Sequence, residues 1–509
     1  AGSGSSMLYD GTALARRGDV VCVSINHRLG ITGHCHLGDI LGDDFTGAAN
    51  AGYLDIVAAL QWVRANIGQF GGDAGNVMIY GQSGGGRKVS LLTASTLAKG
   101  LFHRGIVQSG SHLRLMSREH SNDHAERLLA HFNLKKEDAR KLQDIPVRDI
   151  LRANRDLSRA TARRFSPTLD EAIFHAHPWD PEAPATAFDI PMMIGTCRTE
   201  LSNQLGSADE TNFTLDDATL AERLKSYVPS EDVPSLITLF KKQSPGASPS
   251  EIFFKITTAR GYWRDSLLQT ERKARQGGAP VWSYRLMWRT PIEGGRRITP
   301  HSLDLPFMFD NVSKAAQMVG PPTDETAAMA NTMSETWLAF ARTGNPNNPA
   351  IPDWKPYDLD KRTVMLLDVI PKAEQDPHRE ERLAMEKYPT QQLGRTLGYP
   401  TANLRYGGKT PALRGIYATW VHGVADRPWP SVSSFGTRPT VFGVDPLLEA
   451  HLFDFDGDLY GRRIEVEFVA RLRDEEKFPD LPTMVAQIKR DDEQARAILD
   501  HSTPQQATA

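Results

Sequence analysis

The hydrophobic rhythm of this chain changes once, near residue 385, and that change limits the fold more than any other feature. Before it, short and mostly apolar runs alternate with stretches of helical spacing. Residues 20–25 read Val-Val-Cys-Val-Ser-Ile, and 76–80, 105–108, 191–195 and 280–286 are similar runs. Such runs predict parallel strands covered on both faces. Between them, Leu54, Val57, Ala58, Leu60, Trp62 and Val63 fall at helical spacing over 53–67. Residues 323–341 predict a second helix, stopped by the turn-rich Gly344-Asn345-Pro346-Asn347-Asn348-Pro349. Strands alternating with helices predict an α/β layered sheet. After residue 385 the period becomes two. Ile464, Val466 and Phe468 alternate with Arg463, Glu465 and Glu467, which predicts a half-exposed antiparallel sheet. Strands are expected over 415–420, 448–453 and 463–470, with a closing helix over 482–499. Two domains follow, joined near 384–392.

Composition agrees with globular domains and narrows the partners. The 509 residues are 40% hydrophobic and 24% charged, with a formal net charge of −3. That balance gives no reason to expect nucleic acid or an anionic membrane as a partner. No apolar run reaches the roughly 18 residues that span a bilayer. The first residues, Ala-Gly-Ser-Gly-Ser-Ser, lack the basic and apolar regions of a signal peptide, so a cytoplasmic location is expected. Three cysteines in so long a chain argue against a disulfide framework. His34-Cys35-His36 has no second ligand pair at metal-site spacing and reads as a loop.

One local motif carries chemistry. Gly81-Gln82-Ser83-Gly84-Gly85 follows the expected strand 76–80 and precedes the helical stretch 87–94. A G-x-S-x-G sequence between strand and helix is the nucleophile elbow, whose tight turn lifts the serine hydroxyl out of the sheet. The helix N-terminus behind it offers N–H groups and a positive dipole end to a developing oxyanion. A phosphate loop would need Lys and then Ser or Thr after the last glycine; here Arg87, Lys88 and Val89 follow.

Around this motif the text resembles the type B carboxylesterases, a family that includes cholinesterase-like and para-nitrobenzyl-type esterases. The shared residues are Tyr9-Asp10-Gly11, Ser24-Ile25-Asn26, Arg28-Leu29-Gly30, Ala59-Leu60-Gln61-Trp62-Val63, Phe70-Gly71-Gly72-Asp73 and Gln108-Ser109-Gly110. The resemblance implies an α/β-hydrolase fold over 1–385 and a serine ester hydrolase that needs no cofactor. It implies Glu200, after Met192-Met193-Ile194-Gly195, as the triad acid. It implies His301, in His301-Ser302-Leu303-Asp304-Leu305-Pro306-Phe307, as the base to Ser83, and the Gly84 N–H as an oxyanion donor. Gln82 stands where glutamate is commoner in the family, and Gly84 where alanine is. The family's His-Gly-Gly-Gly-like text would precede the segment matching residues 1–6. The expected domain is therefore N-terminally truncated, with an incomplete oxyanion hole.

Residues 393–500 resemble the riboflavin kinase domain of bacterial bifunctional FAD synthetases, within an expected second domain over 393–509. The matching text is 393–403 (Leu-Gly-Arg-Thr-Leu-Gly-Tyr-Pro-Thr-Ala-Asn), 436–440 (Gly-Thr-Arg-Pro-Thr), 448–454 (Leu-Glu-Ala-His-Leu-Phe-Asp) and 459–461 (Leu-Tyr-Gly). The resemblance implies a small antiparallel β-barrel, with Thr401 and Asn403 at Mg²⁺ and the ATP phosphates. Glu449 would be the base on a riboflavin hydroxyl. Gly394 and Gly398 would let the backbone approach phosphate. Hydroxyl and amide oxygens suit Mg²⁺, and a carboxylate suits proton removal from an alcohol. The barrel's first strand is expected to be missing, because 380–392 reads as the esterase tail, and 386–392 is the expected junction. The resulting expectation is a carboxylesterase acting on a small ester, fused to an impaired kinase that uses riboflavin and MgATP. The rival expectations are a flavin kinase with an inactive hydrolase body, and a non-catalytic esterase-like scaffold.

Overall fold

The computed structural model describes residues 3–161, 165–388, 402–405, 415–424, 427–436, 447–455, 464–474, 476 and 481–502. The chain falls into two compact units. The first comprises Ala1–Arg118 and Leu128–Thr390, and the second Glu119–Arg127 and Gln391–Ala509.

A six-stranded sheet in the order β1-β2-β3-β4-β5-β6 organises the first unit. Its strands are β1 (Met78–Gln82), β2 (Arg104–Gln108), β3 (Met192–Cys197), β4 (Val281–Leu286), β5 (Thr363–Leu367) and β6 (Lys372–Gln375). The first five run parallel, and β6 is antiparallel to β5. All residues of β3 and β4 are buried, which accounts for their unbroken apolar text. The helices include α1 (Ala51–Asn66), α2 (Gly84–Thr93), α3 (Leu201–Ala208), α4 (Val233–Gln243), α5 (Pro249–Thr258), α6 (Arg264–Gln276), α7 (Asp304–Met308), α8 (Asp324–Thr343) and α9 (Arg379–Glu386). Of these, α1, α2, α6 and α8 pack on the sheet, whereas α4, α5 and α9 share a separate apolar cluster. Helix α8 begins at a capping box, in which the Thr323 side chain accepts from the Thr326 N–H. It ends at Gly344, whose φ of 76° only glycine adopts cheaply. Its buried Met333, Trp337 and Phe340 pack into the main core with Trp282 and Tyr284 of β4. Each such side chain contributes about 1.5–3 kcal/mol on burial. This is the α/β-hydrolase architecture expected from the sequence.

One expected strand is not formed. Residues 20–25 have no ladder, because β1 is the sheet edge and pairs only with β2 among the described residues. Val20 and Cys22 still pack against the core, whereas Val21 and Val23 are 42% and 43% exposed. The segment is one-sided rather than covered on both faces. Two strands of this sheet, β5 and β6, are additional to those expected from the sequence.

The second unit holds an antiparallel sheet in the order β11-β8-β9-β10-β7. Its strands are β7 (Ala402–Arg405), β8 (Gly415–His422), β9 (Trp429–Gly436), β10 (Leu447–Leu452) and β11 (Glu465–Arg473). Helix α10 (Leu481–Leu499) packs Ala495 and Leu499 on Ala418, Val432 and Phe453. The sheet is compatible with the expected small barrel. The period of two does not run the length of β11. Register shifts between Phe468 and Ala470 and between Arg471 and Arg473 interrupt the pairing with β8. Such bulges re-aim the residues beyond them, so Val466 joins one core cluster and Val469 and Leu472 another.

Candidate active site

The sharp turn between β1 and α2 is built from missing side chains. A Cβ at Gly81 would lie 2.4 Å from the Gly85 carbonyl carbon, and one at Gly110 would lie 2.4 Å from the Ser83 oxygen. Only glycine permits these approaches. Ser83 itself takes φ 56° and ψ −117°, a conformation costly for any residue with a side chain. Its backbone is clamped by Ser83 N–H donating to the Gln108 carbonyl at 2.8 Å and Arg87 N–H donating to the Ser83 carbonyl at 3.0 Å. Strain held in this way marks a functional turn.

At the end of β3 the chain turns into α3, and Glu200 is fully buried there. One of its carboxylate oxygens, Oε1, accepts from the Cys197 N–H at 2.7 Å. The other, Oε2, lies 2.5 Å from His301 Nδ1. Beyond β4, His301 is carried on a loop fixed by its N–H donating to the Glu200 carbonyl and by Asn203 Nδ2 donating to the His301 carbonyl, both at 3.2 Å. The Tyr262 ring lies 4.9 Å from the imidazole, centroid to centroid. With Nδ1–H donated to Glu200, the imidazole keeps its lone pair on Nε2.

The ring has a polar neighbour other than the expected one. Gln82 Nε2 lies 3.2 Å from His301 Nε2 and 3.4 Å from Nδ1. No hydrogen bond joins Ser83 Oγ to His301. The fold thus brings Glu200 and His301 into direct contact and sets Gln82, the chain neighbour of Ser83, against the ring. Nucleophile and base often tighten only when substrate binds.

Behind the ring, Asp304 is buried, and its carboxylate accepts from Gln108 Nε2 at 2.8 Å. Burial pushes its pKa up to about 6, and the nearby Glu200 charge adds to the shift. Several contacts of this site had no signal in the sequence. Tyr262 sits in a π-type turn, Ala259–Trp263, a form frequent at functional sites but without a sequence signature. The contacts of Gln82 and Asn203 with His301 span 219 and 98 residues.

The buried His34 of the His-Cys-His triplet ends a short helix, Ile31–His34, rather than lying in a loop. Its Nδ1 contacts the Ala49 carbonyl at 3.1 Å, and burial pushes its pKa down to about 4.

In the second unit, β10 and β7 pair in the register Glu449↔Asn403. Directly opposite residues of an antiparallel pair occupy adjacent positions, so the expected base stands beside one of the expected Mg²⁺ ligands. Gly394, Gly398 and Thr401 lie outside the described residues. By residue type, an asparagine amide oxygen and a carboxylate are both suitable hard donors for Mg²⁺.

Comparison with known proteins agrees with this organisation. The carboxylesterase family model matches residues 1–385, and the riboflavin kinase model matches 382–499. The chain is 34% identical to the para-nitrobenzyl esterase of Bacillus subtilis over 389 residues, covering 75% of this chain and 76% of that protein. It is 31% identical to the medium-chain fatty acyl-CoA hydrolase precursor of Anas platyrhynchos, covering 73% of this chain and 68% of that protein. Among solved structures, a Geobacillus stearothermophilus carboxylesterase superposes with a TM-score of 0.67 at 36% identity, covering 76% of this chain and 79% of that one. Among the described residues, no helix is long and apolar enough to cross a membrane.

Proposed function

Because the chain belongs to the carboxylesterase family, we propose that it hydrolyses carboxylic esters through an acyl-enzyme on Ser83, with His301 as base and Glu200 as the carboxylate that orients it. The observation that carries this reading is the 2.5 Å contact between His301 Nδ1 and Glu200 Oε2 beside the strained elbow. Glu200 fixes the tautomer with a bare Nε2 and stabilises the imidazolium that forms. His301 Nε2 takes the proton of Ser83 Oγ as the oxygen attacks the ester carbon. The carbonyl π electrons move to oxygen, and the Gly84 N–H at the start of α2 donates to that oxyanion. Collapse breaks the bond to the alkoxide, which receives the proton from His301. Water then repeats the sequence on the acyl-enzyme, releasing the acid and restoring Ser83.

The test is hydrolysis of a short-chain para-nitrophenyl ester. Ser83→Ala and His301→Ala are expected to abolish it, and Glu200→Gln to lower kcat by about 10⁴-fold, the usual effect of losing the orienting carboxylate. Full activity in Ser83→Ala would overturn the assignment.

The C-terminal unit supports a second reading, phosphoryl transfer from ATP to riboflavin. Asn403 and Thr401 would hold Mg²⁺, which would neutralise charge on the phosphates. Glu449 would take the proton of the attacking hydroxyl. The register pairing Glu449 with Asn403 favours this reading.

A further inference from the structure

Ester hydrolysis at Ser83 leaves one charged side chain at the elbow without a task. Lys88 lies one turn into α2, four residues after Gly84, and helical side chains lean back toward the N-terminus. A Cβ added to Gly84 would stand 3.8 Å from Lys88 Nζ, so the ammonium lies over the first residue of the helix. In the proposed mechanism that residue's N–H is the oxyanion donor.

Among the described residues, the surroundings supply no counter-charge. Arg87 follows the same helix and adds repulsion. From neighbouring segments come His27, His34 and His112. Burial lowers their pKa values to about 4, about 4 and about 3, and Lys88 contributes to each shift. All three are neutral at working pH. Asp55 is held by Arg28, with Arg28 Nη2 at 2.7 Å from Asp55 Oδ1. The Lys88 ammonium is itself pushed down to about 8 by burial, with Arg87 adding to it. A partly buried cation at the positive end of a helix is costly unless an anion joins it. Hydrolysis at Ser83 creates such an anion beside the Gly84 N–H.

We propose that Lys88 stabilises the tetrahedral oxyanion of ester hydrolysis, placing a full positive charge beside the Gly84 N–H donor. The inference rests on the reading of Ser83 as nucleophile. The charge acts where negative charge appears only during reaction, so it lowers the barrier rather than tightening ground-state binding. It has a pH signature: rate is supported while Lys88 is protonated and lost as the ammonium titrates.

The experiment compares the full chain with Lys88→Met and Lys88→Arg. It measures kcat and KM for a neutral para-nitrophenyl ester from about pH 6 to about pH 10. End-point labelling of Ser83 by a fluorophosphonate serves as a control in each protein. Lys88→Met is expected to lower kcat about ten- to a hundredfold with KM little changed, somewhat less than the loss of a direct oxyanion donor. The unmodified chain is expected to lose kcat above about pH 8, whereas Lys88→Arg, whose guanidinium stays charged, keeps its rate there. Unchanged kcat in Lys88→Met with Ser83 labelled would overturn the inference. So would a loss confined to KM, which would make Lys88 a substrate anchor. Absence of Ser83 labelling in the unmodified chain would instead overturn the nucleophile reading beneath it. Should Lys88→Met fail to fold, the alkaline limb of the unmodified chain and its absence in Lys88→Arg decide the matter.

Discussion

His301 is held between a carboxylate and a carboxamide. Glu200 Oε2 contacts Nδ1, whereas Gln82 Nε2 lies 3.2 and 3.4 Å from the two ring nitrogens, beside the ring and off the axis of the Nε2 lone pair. Gln82 therefore does not occupy the lone pair that Ser83 would use. Replacing Gln82 by Glu would put a carboxylate against the ring and stabilise its protonated form. The acid limb of the kcat/KM profile is expected to move to higher pH in Gln82→Glu. An unmoved limb would mean that Gln82 does not face the imidazole that titrates in turnover. Ser83 was legible because an elbow is a local motif, confined to five residues between a strand and a helix. Glu200 and His301 could not be read that way. They meet across 101 residues, and no spacing rule links a carboxylate to a histidine at that separation. Only the resemblance of their flanking text to a family singled them out.

Elements were readable where one environment dominated. Strands β2, β3 and β4 lie inside a covered sheet, so their apolar runs announce them. Strand β9 did not announce itself, because Ser431 and Ser433 interrupt its text. Both are buried, and Thr419 Oγ1 of β8 lies 2.8 and 2.7 Å from their hydroxyls, so the polar groups are satisfied across the sheet. The false strand at 20–25 has the right composition and lacks a pairing partner, which composition cannot reveal. Helices α5 and α9 are tied by an interior ion pair, Lys255 Nζ to Glu381 Oε1 at 2.8 Å, with both side chains buried. Arg285 of β4 lies nearby, 4.0 Å from Glu381 Oε2, and stacks 4.5 Å over the Trp263 ring. Removing one partner of a buried pair leaves an uncompensated charge, so Lys255→Met is expected to destabilise the first unit by about 3–5 kcal/mol. Denaturant unfolding followed by tryptophan fluorescence measures this. A loss below about 1 kcal/mol, the level of an exposed pair, would show that the pair is solvated.

At the scale of the whole chain, two domain types follow one another. Helix α9 ends at Glu386, and Met385 and Tyr388 pack into a core of the esterase unit. Residues 380–388, which the sequence reads as the esterase tail, are therefore part of the first unit. Phosphoryl transfer depends on positioning, and a misplacement near 1 Å costs about a hundredfold. Little or no FMN is expected from riboflavin and MgATP. Robust formation that disappears in Glu449→Gln would make the chain a working bifunctional enzyme. The central claim is that Ser83 is a nucleophile activated by the His301–Glu200 pair. Its most direct measurement is covalent labelling by a fluorophosphonate, with the modified residue located by peptide mass spectrometry. The account predicts a single label on Ser83 that is lost in His301→Ala. A label on Ser109, or none on folded protein, would contradict it.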